Sequence, residues 1–155
     1  MKTAIIDDSQ EDLEHIFKTL KYAQIPALER LDIDYYSCSD KLIARLPDYQ
    51  LFILDWFIDH RTGLDLLKAI REQCINHPAV IMLTSNNKEE DISTALISGA
   101  DDYLVKPYRT MELCARVFNV MRRKEGSNFI SAEKNLIVQE FTFDDQSLEI
   151  TRNNN

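Results

Sequence analysis

Residues 51–55 read LFILD: four large apolar side chains in succession, closed by an aspartate. A run this short and unbroken by polar residues suits neither an amphipathic helix nor a strand with one wet face. It fits a parallel strand covered on both sides. Similar runs at Thr3–Asp7, Ala79–Thr84 and Asp102–Val105 predict three more such strands. A fifth candidate, Leu31–Cys38, opens with Leu31, Ile33 and Tyr35 alternating with Asp32 and Asp34. That alternation predicts a strand with a wetter face, nearer the sheet edge.

Helical spacing fills the intervals. Leu13, Ile16, Phe17 and Leu20 recur at three- and four-residue steps, as do Leu64, Leu67, Ile70 and Cys74, and Leu113, Val117, Val120 and Met121. Ser39 is placed to N-cap a short helix that Pro47 ends. Gly99 follows 91–98 where a glycine terminates a helix. The order is β-α repeated five times. Right-handed crossovers then predict an α/β fold, a doubly wound five-stranded parallel sheet with helices on both faces.

The 155 residues suffice for one ordinary domain with an appended fragment. The hydrophobic share of 45% and charged share of 28% are those of a soluble globular protein. No apolar stretch approaches the roughly 20 residues that span a bilayer, and the N-terminus lacks the pattern of a secretory signal. Cys38, Cys74 and Cys114 are widely spaced in apolar context and read as reduced thiols, so a cytoplasmic location with no membrane association is expected. A net charge of −8 repels nucleic-acid phosphates and suits a cation site.

Ligands of open α/β sheets sit beyond the carboxyl ends of the strands. Here those ends carry Asp7 and Asp8, Asp55, Thr84 with Ser85, and Lys106. Three carboxylates, hydroxyls and an ammonium therefore converge on one edge. Mg²⁺ takes carboxylates, water and phosphate oxygens in an octahedral shell, and Asp7, Asp8 and Asp55 could supply its protein ligands while it offsets their repulsion. Asp55, closing the most apolar strand, is the candidate nucleophile for phosphorus. Lys106 would neutralise the transferring group and Thr84 would bond a phosphoryl oxygen. Pro107 fixes the backbone after the lysine; an X-Pro bond has access to the cis form, which would aim Lys106 inward.

Residues 1 to about 124 resemble a response-regulator receiver domain of two-component signalling, with a (βα)5, flavodoxin/CheY-like fold. The likeness rests on IIDDSQ, on LFILDWFIDHRTGLDLL with Gly63 eight residues past Asp55, on IMLTS, and on GADDYLVKP. It implies that Asp55 accepts a phosphoryl group from a histidine of a sensor kinase. Mg²⁺ would be held by Asp8, Asp55 and the Phe57 backbone carbonyl, with Asp7 assisting. It further implies a switch in which Thr84 moves towards the phosphoryl group and Tyr103 turns inward behind it. The implied role is signalling rather than enzymatic turnover, limited to the domain's own phosphorylation and dephosphorylation. Asp59 stands where receivers commonly carry proline, and it is expected to be exposed together with His60. Phe57 is expected to shield the acyl phosphate from water.

GADDYLVKPYRTMELCARVFNVMRR resembles the OmpR/PhoB branch of transcription-regulating response regulators. There the fourth helix, fifth strand and fifth helix of the five β-α units form a two-fold dimer surface. Asp101, Asp102, Glu112, Arg116 and Arg123 match its charged positions, whereas Ile92 stands where a basic residue is frequent. KEGSN reads as a linker, and runs around Ile137–Phe143 and Leu148–Thr151 read as two short strands about the turn DDQ. The expected organisation is a receiver over 1–124, then a linker and the start of a truncated output domain over 125–155. DNA contact would belong to a C-terminal domain absent from the sequence. Two other functions fit parts of the pattern: an aspartate-nucleophile phosphohydrolase, and a stand-alone receiver acting by protein–protein interaction. The first usually carries a second aspartate two residues past the nucleophile, where Phe57 stands.

Overall fold

A computed structural model describes residues 1–125, 141–144 and 149–152. In chain order its first elements are β1 (Lys2–Ile6), α1 (Gln10–Tyr22), the single turn α2 (Pro26–Glu29), β2 (Asp32–Tyr36) and α3 (Ser39–Ile43). A 3-10 turn (Leu46–Asp48), β3 (Leu51–Leu54), the two-residue strands β4 (Phe57–Ile58) and β5 (Arg61–Thr62), and α4 (Gly63–Gln73) follow. Then come β6 (Ala79–Thr84), α5 (Glu89–Ile97), β7 (Asp102–Val105) and α6 (Thr110–Glu125). The main sheet is wholly parallel with strand order β2-β1-β3-β6-β7.

The apolar runs are buried as their pattern predicts. Every residue of β3 and β6 is buried, whereas the edge strand β2 keeps Asp32 and Tyr35 exposed. Leu13, Ile16 and Leu20 of α1 and Leu113, Val117, Val120 and Met121 of α6 turn into the core. On α4 the buried face is Leu66, Leu67 and Ile70, with Leu64 only partly buried against it. Gly99, at φ 103°, ends α5 with the bond pair of a Schellman motif: its N–H reaches Leu96 O, and that of Ala100 reaches Ala95 O.

Three local expectations change. Cys38 occupies the N-cap position of α3 and Ser39 is the first helical residue, its amide and hydroxyl directed to Asp59. The helix closes at Ala44, and Pro47 lies in the following 3-10 turn. The β4–β5 hairpin carries no sequence signal, because two-residue strands are too short to show a period. Its loop is Asp59-His60, with Asp59 at φ 44°, the positive φ that tight hairpin turns require at their first loop residue.

The chain divides into two compact units, Met1–Met121 and Arg122–Asn155. In the second, β8 (Phe141–Asp144) pairs antiparallel with β9 (Glu149–Arg152). The expected strand residues 137–140, the turn beyond Asp144 and most of the linker fall outside the described residues.

Candidate functional site

The strand order reverses at β1: the chain moves outward to β2, then returns across β1 to β3. Such a switch point opens a crevice at the carboxyl ends of the two strands. β1 and β3 run in register, Ile6 beside Leu54, and the Asp55 amide bonds Ile6 O at 3.0 Å. The residues that follow are therefore delivered side by side. Oxygens of Asp7, Asp8 and Asp55 all lie within 4.8 Å of one another. Asp7 is 1% exposed, Asp8 is exposed, and the Asp55 side chain is 12% exposed.

Lys106 enters from the far side of the sheet. Its amide bonds Thr84 O, which sets it beyond β7 alongside the end of β6. The Lys106–Pro107 peptide is cis. Nζ donates to Asp7 Oδ2 at 2.6 Å and to Asp12 Oδ2 at 2.8 Å, and stands 3.8 Å from Asp55 Oδ1. Asp55 Oδ1 is buried and has no hydrogen-bond donor. Burial raises the pKa of Asp55, and the Lys106 charge opposes that rise. For Lys106 burial alone would lower the pKa, but the bonds to Asp12 and Asp7 outweigh it and the net shift is upward. The ammonium is thereby kept charged.

Three carboxylates converging with one buried, undonated oxygen form a donor set that fits a hard divalent cation. Asp7, Asp8 and Asp55 are the carboxylates that come together here. The Phe57 side chain is 60% exposed at the start of the β4–β5 hairpin. Gly63 sits behind Asp55: a Cβ there would lie 2.1 Å from Asp55 O, so no larger residue fits without displacing the Asp55 backbone. Asp59 is exposed, as expected, and His60 with it. The Asp59 carboxylate is nevertheless fastened, accepting from the Ser39 amide at 2.7 Å and hydroxyl at 2.9 Å. Partial desolvation pushes its pKa up, and the Ser39 bonds together with His60 outweigh that, so the net shift is downward.

Thr84 is fully buried, and its Oγ1 accepts the Asn86 N–H at 3.1 Å. Tyr103 is 8% exposed, with its ring edge-on to Trp56 and its hydroxyl donating to Asn86 O at 2.7 Å. Burial raises the Tyr103 pKa to about 12. Asn86 thus bridges the two expected switch residues through its backbone, and its side chain donates to Asp91 of α5. Neither Asn86 nor Asp12 was legible as a site residue. Asp12 reads as an ordinary acidic residue in a helix first turn, and Asn86 contributes mainly through peptide groups.

The charged residues expected at a dimer surface separate into two sets. Arg116 of α6 bonds Asp102 at 2.9 Å and Glu112 at 3.0 Å within one chain. Asp101 instead turns to Arg71 at 3.0 Å and the Val80 amide at 2.8 Å, joining α4 to β6. Arg123 is exposed on α6. Ile92 packs partly buried against the core rather than standing in solvent.

Among the described residues no helix is long and apolar enough to cross a membrane. In sequence, the chain is 41% identical to the phosphate regulon transcriptional regulatory protein PhoB of Escherichia coli over 91 residues, covering 58% of this chain and 39% of PhoB. It is 32% identical to the transcriptional regulatory protein CpxR of the same species, covering 97% of this chain and 67% of CpxR. The chain therefore spans about two fifths of the length of the PhoB relatives it matches. In structure it matches a two-component response regulator from Clostridium difficile at TM-score 0.71 and 26% identity, covering 81% of this chain and 99% of the other. The profile of the response regulator receiver domain matches residues 3–118. Sequence, strand order and structural likeness agree, and the chain belongs to the response regulator receiver domain family.

Proposed function

We propose that the domain is a phosphoacceptor that takes a phosphoryl group from a phosphohistidine of a sensor histidine kinase onto Asp55. The observation that carries this is the buried, undonated Asp55 Oδ1, flanked by two further aspartates and 3.8 Å from Lys106. An Asp55 oxygen bonds to phosphorus as the phosphorus–nitrogen bond to the donor imidazole breaks, and the bonding pair leaves with the imidazole. Asp7 and Lys106 fix the approach, while Thr84 lies buried at the end of β6, placed to give a hydrogen bond to a phosphoryl oxygen. Asp8, Asp55 and the Phe57 carbonyl would hold Mg²⁺ with Asp7 assisting; bound there, it supplies positive charge to the phosphoryl oxygens. The domain signals rather than turning over a substrate.

Residues 1–124 carry this chemistry and residues 125–155 lead into the output. Control of transcription is the output that the likeness to PhoB and CpxR supports, with DNA contacted by a further domain. Phosphorylation would act through Thr84 on the face built from α5, β7 and α6, where Tyr103, expected to turn inward, already lies inward, forming a homodimer there. Leu96 at 45% and Ile97 at 87% exposure give α5 apolar surface, and Asp102, Glu112 and Arg116 give β7 and α6 their charges.

Incubation with Mg²⁺ and a small acyl-phosphate donor tests the assignment. Stoichiometric labelling that decays slowly and vanishes in Asp55→Ala is expected; catalytic release of phosphate would instead indicate a phosphohydrolase. That alternative lacks an acid at position 57, where an exposed phenyl ring has no proton to give. No labelling at all would leave a receiver that acts by contact alone.

A further inference from the structure

We propose that Asp12 is a positioning residue that holds the Lys106 ammonium away from Asp55 until a phosphoryl group arrives. The inference deepens the phosphoacceptor reading and rests on it. An ammonium has three donors and no acceptor. Two of those donors are committed, one to Asp7 at 2.6 Å and one to Asp12 at 2.8 Å, while Asp55 Oδ1 at 3.8 Å receives none. The buried acceptor oxygen thus lacks a donor although a lysine stands beside it, and Asp12 is the group that draws the lysine off.

The two committed contacts differ in kind. Asp7 is 1% exposed and also accepts the Ser9 amide at 2.9 Å, so its contact is sheltered and fixed. Asp12 is 43% exposed on its side chain and sits in the first turn of α1. Its own amide is capped by Ser9 Oγ at 3.2 Å, which sets the height of its carboxylate against Lys106. Water screens an exposed contact and can replace it. When a doubly charged group appears on Asp55, the ammonium swings from Asp12 towards it and stays on Asp7. Asp12 also lines an open groove of about 340 Å³ with His15, Ser85, Lys106, Pro107 and Tyr108, so the vacated carboxylate faces solvent rather than being stranded.

The test is a double-mutant cycle between Asp12→Asn and Lys106→Ala. With sub-saturating Mg²⁺ and a small acyl-phosphate donor, Asp12→Asn is expected to take phosphate roughly two- to tenfold more slowly than wild type, the span of a half-exposed charged contact. Glu11→Gln, which removes a neighbouring charge not seated on Lys106, is expected to leave the rate unchanged. In the Lys106→Ala background Asp12→Asn is expected to have no effect. A second readout needs no donor. Trp56, the single tryptophan, follows Asp55 directly, and its fluorescence can follow Mg²⁺ binding. Asp12→Asn should weaken Mg²⁺ binding as the ammonium settles on Asp55, and this change too should vanish with Lys106→Ala. Unchanged rate and Mg²⁺ affinity in Asp12→Asn, or effects that persist without Lys106, would overturn the proposal. If wild type takes no phosphate, the phosphoacceptor reading fails on its own, and the Mg²⁺ titration still decides the role of Asp12.

Discussion

Asp55 follows the wholly buried strand β3, so its ionised form loses water without gaining a full set of donors. Asp7 adds like charge at close range, and Lys106 is shared with two other carboxylates. In the absence of a divalent cation, Asp55→Asn is therefore expected to stabilise the fold at neutral pH by about 1–3 kcal/mol, because the amide keeps the shape but removes the charge that burial and Asp7 oppose. Saturating Mg²⁺ should narrow or reverse the difference, because it stabilises only a chain that binds it. Thermal melts of both proteins with and without Mg²⁺ measure this; a wild type more stable than Asp55→Asn without cation would contradict it. Phe57 offers a kinetic counterpart. Its ring stands exposed at the hairpin that would carry a cation ligand, and a polar side chain there could orient attacking water. Phe57→Asn should speed the decay of phosphorylated protein several-fold, and an unchanged half-life would remove the shielding role.

At the scale of elements, α4 begins immediately behind the site, and its start depends on a reciprocal cap. Thr62 Oγ1 accepts the Asp65 amide at 3.2 Å, while Asp65 Oδ2 accepts the Thr62 amide at 2.9 Å. Thr62→Ala is expected to cost about 1 kcal/mol in urea denaturation. The Thr62 amide, followed by its hydroxyl, holds the Asp65 pKa below the usual value. A carboxylate with a depressed folded pKa stabilises the fold above its unfolded pKa of about 4, and that contribution fades as pH falls through the folded value. The stability gap between wild type and Asp65→Ala should accordingly be constant near neutrality and shrink in acid; a gap that widens in acid would contradict the cap. The elements legible in the sequence were those long enough to carry a period. β3 and β6 announced themselves as continuous apolar runs, α1 and α6 by three- and four-residue steps, and Gly99 by its place after α5. The hairpin Phe57–Thr62 was silent because two residues make no period. The site followed the same division. Asp7, Asp8, Asp55, Thr84 and Lys106 could be found because strand ends converge by topology. The Asp12–Lys106, Ser39–Asp59 and Asp101–Arg71 contacts could not, because each joins side chains through loop and helix geometry that no spacing encodes.

For the whole molecule, the proposed readout is assembly, and a net charge of −8 opposes it. Two copies can meet only on a face whose charges pair locally and whose centre is apolar. The elements α5, β7 and α6 offer both features: Arg116 balances Asp102 and Glu112, and Leu96 and Ile97 of α5 stand in solvent. Tyr103 already lies inward with its hydroxyl on Asn86 O, so that side of the domain needs little rearrangement before pairing. Phosphorylation then has only to bias the Thr84–Asn86 link, whose Asn86 side chain reaches Asp91 on α5. Light scattering should show a shift from monomer to dimer mass on phosphorylation. Arg116→Glu places three like charges together with Asp102 and Glu112. It should leave labelling of Asp55 intact while keeping the phosphorylated chain monomeric. A dimer that forms equally well with Arg116→Glu would move the interface to another face, and a mass unaffected by phosphorylation would separate the phosphoacceptor chemistry from assembly altogether.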